Sequence, residues 1–150
     1  MPVHFSDREM QTAWRNNFDA YKTVQTPCTN AHRLLLFYAI ECGLKAVLMQ
    51  KRPANSTSAF AATEDKYFFK HNLNTLLDKL SAGYSLKLPC KIKMVPNEDV
   101  GVGEINQMWR YGGEMANMKN QNGNLLGSTD EDLEKCLLRI SEWIKQELQP

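Results

Sequence analysis

Apolar residues recur at helical spacing in five stretches of the chain, and each stretch carries its own start or stop signal. Ser6 and Glu9 form a capping box, in which the hydroxyl and the carboxylate satisfy orphan amide donors. Met10, Ala13, Trp14, Phe18 and Tyr21 then make one apolar helical face. "QTPCTN" ends that helix, because Pro27 disfavours helix at the residue before it. From Thr29 or Asn30 to about Lys51 the chain is apolar over much of a helical circumference, which predicts a central helix. A third helix begins near His71, with Leu73, Leu76, Leu77 and Leu80 as its stripe and Gly83 as its close. A fourth carries Ile105, Met108 and Trp109 before Gly112. The fifth opens at Ser128 or Thr129, where Asp130, Glu131 and Asp132 suit a positive helix end, and continues through Leu133, Leu137, Ile140, Ile144 and Leu148.

The segments between these helices are less determined. "ANSTSAFAATEDK" after Pro53 predicts a loop. Residues 84–103 leave loop, short strand and helix open. Within them "LKLPCKIKMV" partly alternates apolar and basic residues, an extended pattern that Pro89 demotes to an edge strand or loop. The pattern as a whole predicts an all-α fold: one domain over residues 1–150, an up-and-down helical bundle of about five helices, with no buried strand.

Composition changes this picture little. A chain of 150 residues, 43% hydrophobic and 23% charged, suits one soluble globular domain. A net charge of +1 gives no overall field that favours nucleic acid or membrane. The polar start "MPVHFSDREM" predicts no signal peptide, and Glu41 and Lys45 interrupt the longest apolar run, so no membrane span is expected. Cys28, Cys42, Cys90 and Cys136 form no CxxC pair, and His4, His32 and His71 complete no ligand set. The expectation is a cytoplasmic protein with reduced thiols, no metal and no cofactor.

The candidate chemistry is sparse. Glu41 and Lys45 are four apart and share a helix face beside Tyr38, Leu44 and Leu48. They form either a surface pair or, on a drier face, a buried carboxylate that needs a cation, for which Arg110 is a candidate. Arg110 stands between Trp109 and Tyr111 in "INQMWRYGGEMAN". Its guanidinium suits a carboxylate, a phosphate or a base, or else closes the core edge. Gly112 and Gly113 after it stop the helix or admit a close neighbour. His71 at a helix start can cap, pack or act as a general base, with capping or packing favoured. The lysines between Lys79 and Lys93 make a solvated loop or a phosphate-binding strip.

In order and wording, "HRLLLFYAIECGLKAVLMQKR", "KHNLNTLLDKL" and "INQMWRYGGEMAN" resemble the HEPN superfamily of small helical domains, over about residues 6 to 148. The resemblance implies a homodimer in which both copies of the motif form one composite site, with Arg110 in the place of the family arginine, tied to Glu41 or to a bound anion. Many HEPN members are metal-independent ribonucleases with an arginine followed, after four to six residues, by a histidine. Here those positions hold Met115, Ala116 and Asn117, and Asn117 cannot shuttle a proton near neutral pH. The resemblance therefore implies a non-catalytic binding or regulatory module for RNA, a nucleotide or a partner protein, as in bacterial defence or toxin–antitoxin systems. The alternatives are a ribonuclease that borrows His71 or Glu41 for proton transfer, and a structural subunit of a larger assembly.

Overall fold

A computed structural model describes residues 5–23, 29–51 and 71–148. The first helix, α1 (Asp7–Lys22), starts at the expected capping box: Ser6 Oγ accepts from the Glu9 amide at 3.1 Å, and Glu9 Oε1 accepts from the Ser6 amide at 2.9 Å. Met10, Trp14 and Phe18 bury its apolar face. That face lies on α2 (Asn30–Lys51), the central helix, which also packs against the last helix and two shorter ones. Gly43 of α2 permits this crowding. A Cβ there would stand 2.8 Å from Ile144 of the last helix and 3.0 Å from Trp14 of α1.

The third helix, α3 (Leu73–Lys79), is capped by Asn72, whose side chain accepts from the Thr75 amide, and it buries Leu73, Leu76 and Leu77. The fourth, α4 (Ile105–Arg110), buries Ile105, Asn106, Met108 and Trp109. It ends with Gly112 at φ +81° and the Gly113 amide donating to the Met108 carbonyl at 2.7 Å. Gly112 is thus a helix stop. Gly113 instead admits close packing, since a Cβ there would meet Met108 at 2.9 Å and the Met94 sulfur at 3.2 Å. The last helix, α5 (Asp130–Leu148), buries Leu133, Leu137, Ile140 and Ile144 along the predicted stripe. No helix among the described residues is long and apolar enough to cross a membrane.

The all-α expectation is wrong. Strands β1 (Lys91–Met94), β2 (Glu98–Val100), β3 (Met115–Lys119) and β4 (Leu125–Gly127) form an antiparallel sheet in the order β2-β1-β3-β4. Across one face Ile92 of β1 stands opposite Val100 and Met118, and all three are buried. The other face carries Lys91, Lys93 and Lys119 outward. The fold is mixed: helices and a four-stranded antiparallel sheet share one buried core. The alternating "KIKM" is the extended piece expected, but Pro89 lies before β1 rather than in it, so β1 is an inner strand paired on both sides.

Strands β3 and β4 fall where no strand was foreseen. In β3 Met94 pairs with Met115 while Lys93 pairs with Asn117, so Ala116 is an extra residue at a bulge. The bulge buries Met115 and Met118, three residues apart, and so replaces the two-residue alternation that marks a strand.

Candidate functional site

Because α2 is apolar nearly all round, a carboxylate midway along it is carried indoors. Glu41 is 5% exposed. An unpaired carboxylate there would cost several kcal/mol, so its partners are structurally obligatory. Lys45, one turn on, places Nζ 2.8 Å from Glu41 Oε2. His71, held just ahead of α3 by the Asn72 cap, places Nδ1 3.0 Å from Oε1 and 3.2 Å from Oε2. A carboxylate only accepts, so Nδ1 carries a proton, and Nε2 has no hydrogen-bond partner among the described residues. The His71 side chain is 45% exposed, whereas that of Lys45 is 12% exposed.

Tyr38 stands three residues before Glu41, on the same face of α2. Its ring meets the His71 ring edge-on at 6.5 Å between centroids. From the end of α4, Arg110 donates through a terminal guanidinium nitrogen to the Tyr38 hydroxyl, and its Cζ lies 5.8 Å from the Tyr38 ring centroid. The bonds with Tyr38 and then Tyr111 raise the Arg110 pKa further above its ordinary value, so the exposed guanidinium is a fixed cation. The expected Arg110–Glu41 pair is not what holds Glu41: His71 and Lys45 take the carboxylate, and Arg110 takes the tyrosine. A chain of contacts runs Lys45, Glu41, His71, Tyr38, Arg110. Glu41 and Lys45 cancel in formal charge, which leaves Arg110, and His71 when protonated, to set a positive outer edge.

The chain matches no family model, no curated protein and no solved structure. The chemistry of the site rests on these side chains alone.

Apart from the bond between Tyr111 and Arg110, the remaining candidates lie outside this centre. Trp109 is 3% exposed and donates its indole N–H to Asp130 at 2.8 Å, so it is a core residue and offers no stacking face. Tyr111 is largely exposed and lines a groove of about 270 Å³ with Met94, Met108, Glu98, Asp99 and Glu104. That acid rim is unsuited to a phosphate. Asn117 lies in β3 opposite Lys93 and belongs to the sheet. His32 bonds with Thr29 at 2.7 Å at the start of α2. Among the described residues no cluster of potential ligands could hold a metal ion. Cys42, Cys90 and Cys136 are free thiols, and burial, followed by the Glu41 charge, pushes Cys42 up to about 11 against the opposing effect of Lys45, which leaves it unreactive near neutral pH.

Two residues of the neighbourhood were not singled out from sequence. Tyr38 is the junction of the site, and its signal was its spacing from Glu41. Asn106 is 2% exposed, and its Oδ1 has no hydrogen-bond partner among the described residues. It precedes Arg110 by four residues and so shares that face of α4. Gly113 beyond α4 accepts from Asn30 at the start of α2, and Gly103 before α4 lies against Asn72. Asn106 thus lies between a contact of the chain with α2 and one with the cap of α3.

A second buried carboxylate, Glu134 of α5, is 8% exposed. Arg33 Nε donates to it at 2.8 Å, and the Tyr21 hydroxyl donates to its other oxygen. Arg33 also donates to Asn30 Oδ1 at 2.8 Å. This centre ties α1, α2 and α5 together with little of it in contact with solvent.

Proposed function

We propose that the protein is a binding module that takes a phosphate-bearing ligand, RNA or a nucleotide, where His71 and Arg110 meet on Tyr38. The observation that carries this reading is the way the fold gathers two exposed cationic or cationisable side chains from separate elements onto one tyrosine. A fixed guanidinium presents several donors in a plane that matches phosphate oxygens. The buried Glu41–Lys45 pair supports the imidazole from behind without cancelling the outer charge. The spacing of these residues along the chain fits the HEPN-like arrangement that the sequence resembles, and dimerisation through the face bearing Arg110 belongs to the same proposal.

One observation favours a second reading, a metal-independent ribonuclease. His71 has its Nδ1 fixed by a buried carboxylate, and its Nε2 has no partner among the described residues, an arrangement suited to a general base. In that reaction Nε2 takes the proton of a ribose 2′-hydroxyl, the oxygen attacks the adjacent phosphorus to form a 2′,3′-cyclic phosphate, and the bond to the 5′-oxygen breaks as that oxygen takes a proton from water. Arg110 would stabilise the charge on the phosphoryl oxygens.

One experiment separates the two. The purified protein is incubated with end-labelled single-stranded RNA, and both bound and shortened RNA are followed. Intact, salt-sensitive complexes support the binding module. Shortened products that vanish with His71→Gln support the nuclease. RNA that is neither bound nor cut, with nucleotides also unbound, overturns both.

A further inference from the structure

The two edges of the sheet are built differently. Edge strand β2 is short and carries the exposed charges Glu98 and Asp99, the usual protection against pairing with another chain. Edge strand β4 is equally short and has a bulge at Leu126, but it carries no charge. Leu125 is 62% exposed and Leu126 is 50% exposed, and residues 120–129 contain no charge. Beside β4 lies a cleft of about 170 Å³, lined by Tyr84, Lys87, Pro89, Cys90, Gln121 and Leu126. Its wall is fixed: the Asn74 side chain donates to the Leu88 carbonyl at 2.9 Å and accepts from the Leu88 amide at 2.7 Å.

The segments that build this edge carry charge of one sign, and the nearest acid is Asp132 of α5, which packs against Gly127 and accepts from the Ser128 and Thr129 amides. Segments 79–97 and 115–129, which supply β1, β3, β4 and most of the cleft, hold Lys79, Lys87, Lys91, Lys93 and Lys119 and no acidic residue. Lys87 is neutralised by Asp78 and Lys93 by Asp99. Lys91 and Lys119 stand directly opposite each other on adjacent strands, and Lys119 stands opposite Leu125. Like charges directly opposed destabilise a sheet, and neither lysine has an acidic partner among the described residues. Lys91 also donates to the Gln121 carbonyl at the rim of the cleft, at 3.4 Å. A row of two unneutralised lysines thus leads to an exposed leucine on an open edge.

We infer that β4 is a docking edge for an extended peptide of a partner protein, one that alternates acidic and apolar residues and adds to the sheet as a fifth strand. The outer side of β4, which pairs with no further strand among the described residues, supplies the main-chain pairing. Leu125, Leu126 and the cleft receive apolar side chains, and Lys91 and Lys119 receive the acids. A nucleic acid would find the lysines but has no use for the leucines or the unpaired edge. A second copy meeting β4 alone would bury far less than the roughly 800 Å² per partner of a stable interface. The inference is independent of the His71–Arg110 site.

The test is selection of a random twelve-residue displayed peptide library on the full-length protein, in parallel with Leu125→Lys and Lys119→Glu variants. Thermal melting confirms that each exposed substitution leaves the fold intact. The expected result is enrichment of peptides that alternate apolar and acidic residues. A synthetic copy should bind at least ten-fold more weakly to either variant and should slow hydrogen exchange at the amides of β4. Failure of any peptide to enrich, equal binding to all three proteins, or enrichment of basic peptides would overturn the inference. So would wild-type self-association that Leu125→Lys abolishes, or RNA that protects β4 in place of a peptide.

Discussion

Glu41 and Glu134 are both buried carboxylates on helices, yet their surroundings assign them different work. Glu134 is enclosed by Arg33 and Tyr21, and Arg33 is fixed in turn by Asn30. Its neutralising cation is indoors with it. Glu41 also has an indoor cation in Lys45, but a second partner, His71, reaches the surface. A buried charge whose partners are all buried holds helices together. One with a partner at the surface can also support a side chain that meets a ligand. The presence of an ion pair does not distinguish a structural centre from a functional one; the exposure of the partners does.

The largest effect should come from breaking the enclosed centre. Arg33→Ala leaves Glu134 buried without its cation and should cost about 3–5 kcal/mol in denaturant unfolding, with ligand affinity of the folded fraction unchanged. Lys45→Met removes one of two partners of Glu41 and should cost less, about 1–3 kcal/mol by the same measurement, because His71 remains. His71→Ala acts on an exposed partner and should cost below about 1 kcal/mol, while it weakens ligand binding. A stability loss for His71→Ala as large as that for Arg33→Ala would erase the distinction between the two centres.

The smallest effect sharpens the comparison with a carboxylate that is only half-buried. Asp132 accepts from the Ser128 amide at 2.9 Å and the Thr129 amide at 3.1 Å, at the start of α5. The Ser128 amide first, then the Thr129 hydroxyl, lower its pKa below the ordinary value, with burial weakly opposed. Its stabilising contribution should be complete above the unfolded carboxylate value of about 4 and should fade as pH falls through the lower folded value. Urea unfolding between pH 5 and pH 2 (an acid range set by about that value) should therefore show less loss of stability in Asp132→Asn than in the wild type. An identical acid profile would remove this role from Asp132.

Much of this architecture was legible in the sequence, and the losses have particular causes. Local signals placed the helices well: the Ser6–Glu9 box, the apolar circumference of α2 and the acidic start of α5 are each short-range features. The Glu41–Lys45 pair was legible for the same reason. That His71, and not Arg110, would complete it depends on how α3 docks on α2, and no local spacing encodes this. The sheet was lost at β3, where the bulge at Ala116 gave Met115 and Met118 a spacing foreign to strands. It was undervalued at β1, where Pro89 proved to precede the ladder.

The most direct test of the account is the affinity of a short single-stranded RNA for the wild type, Arg110→Gln and His71→Gln, measured by fluorescence anisotropy at low salt beside thermal melting. The account expects wild-type binding that salt weakens, with each variant at least ten-fold weaker at an unchanged melting temperature. Wild-type affinity in both variants, or no binding by the wild type, would contradict it.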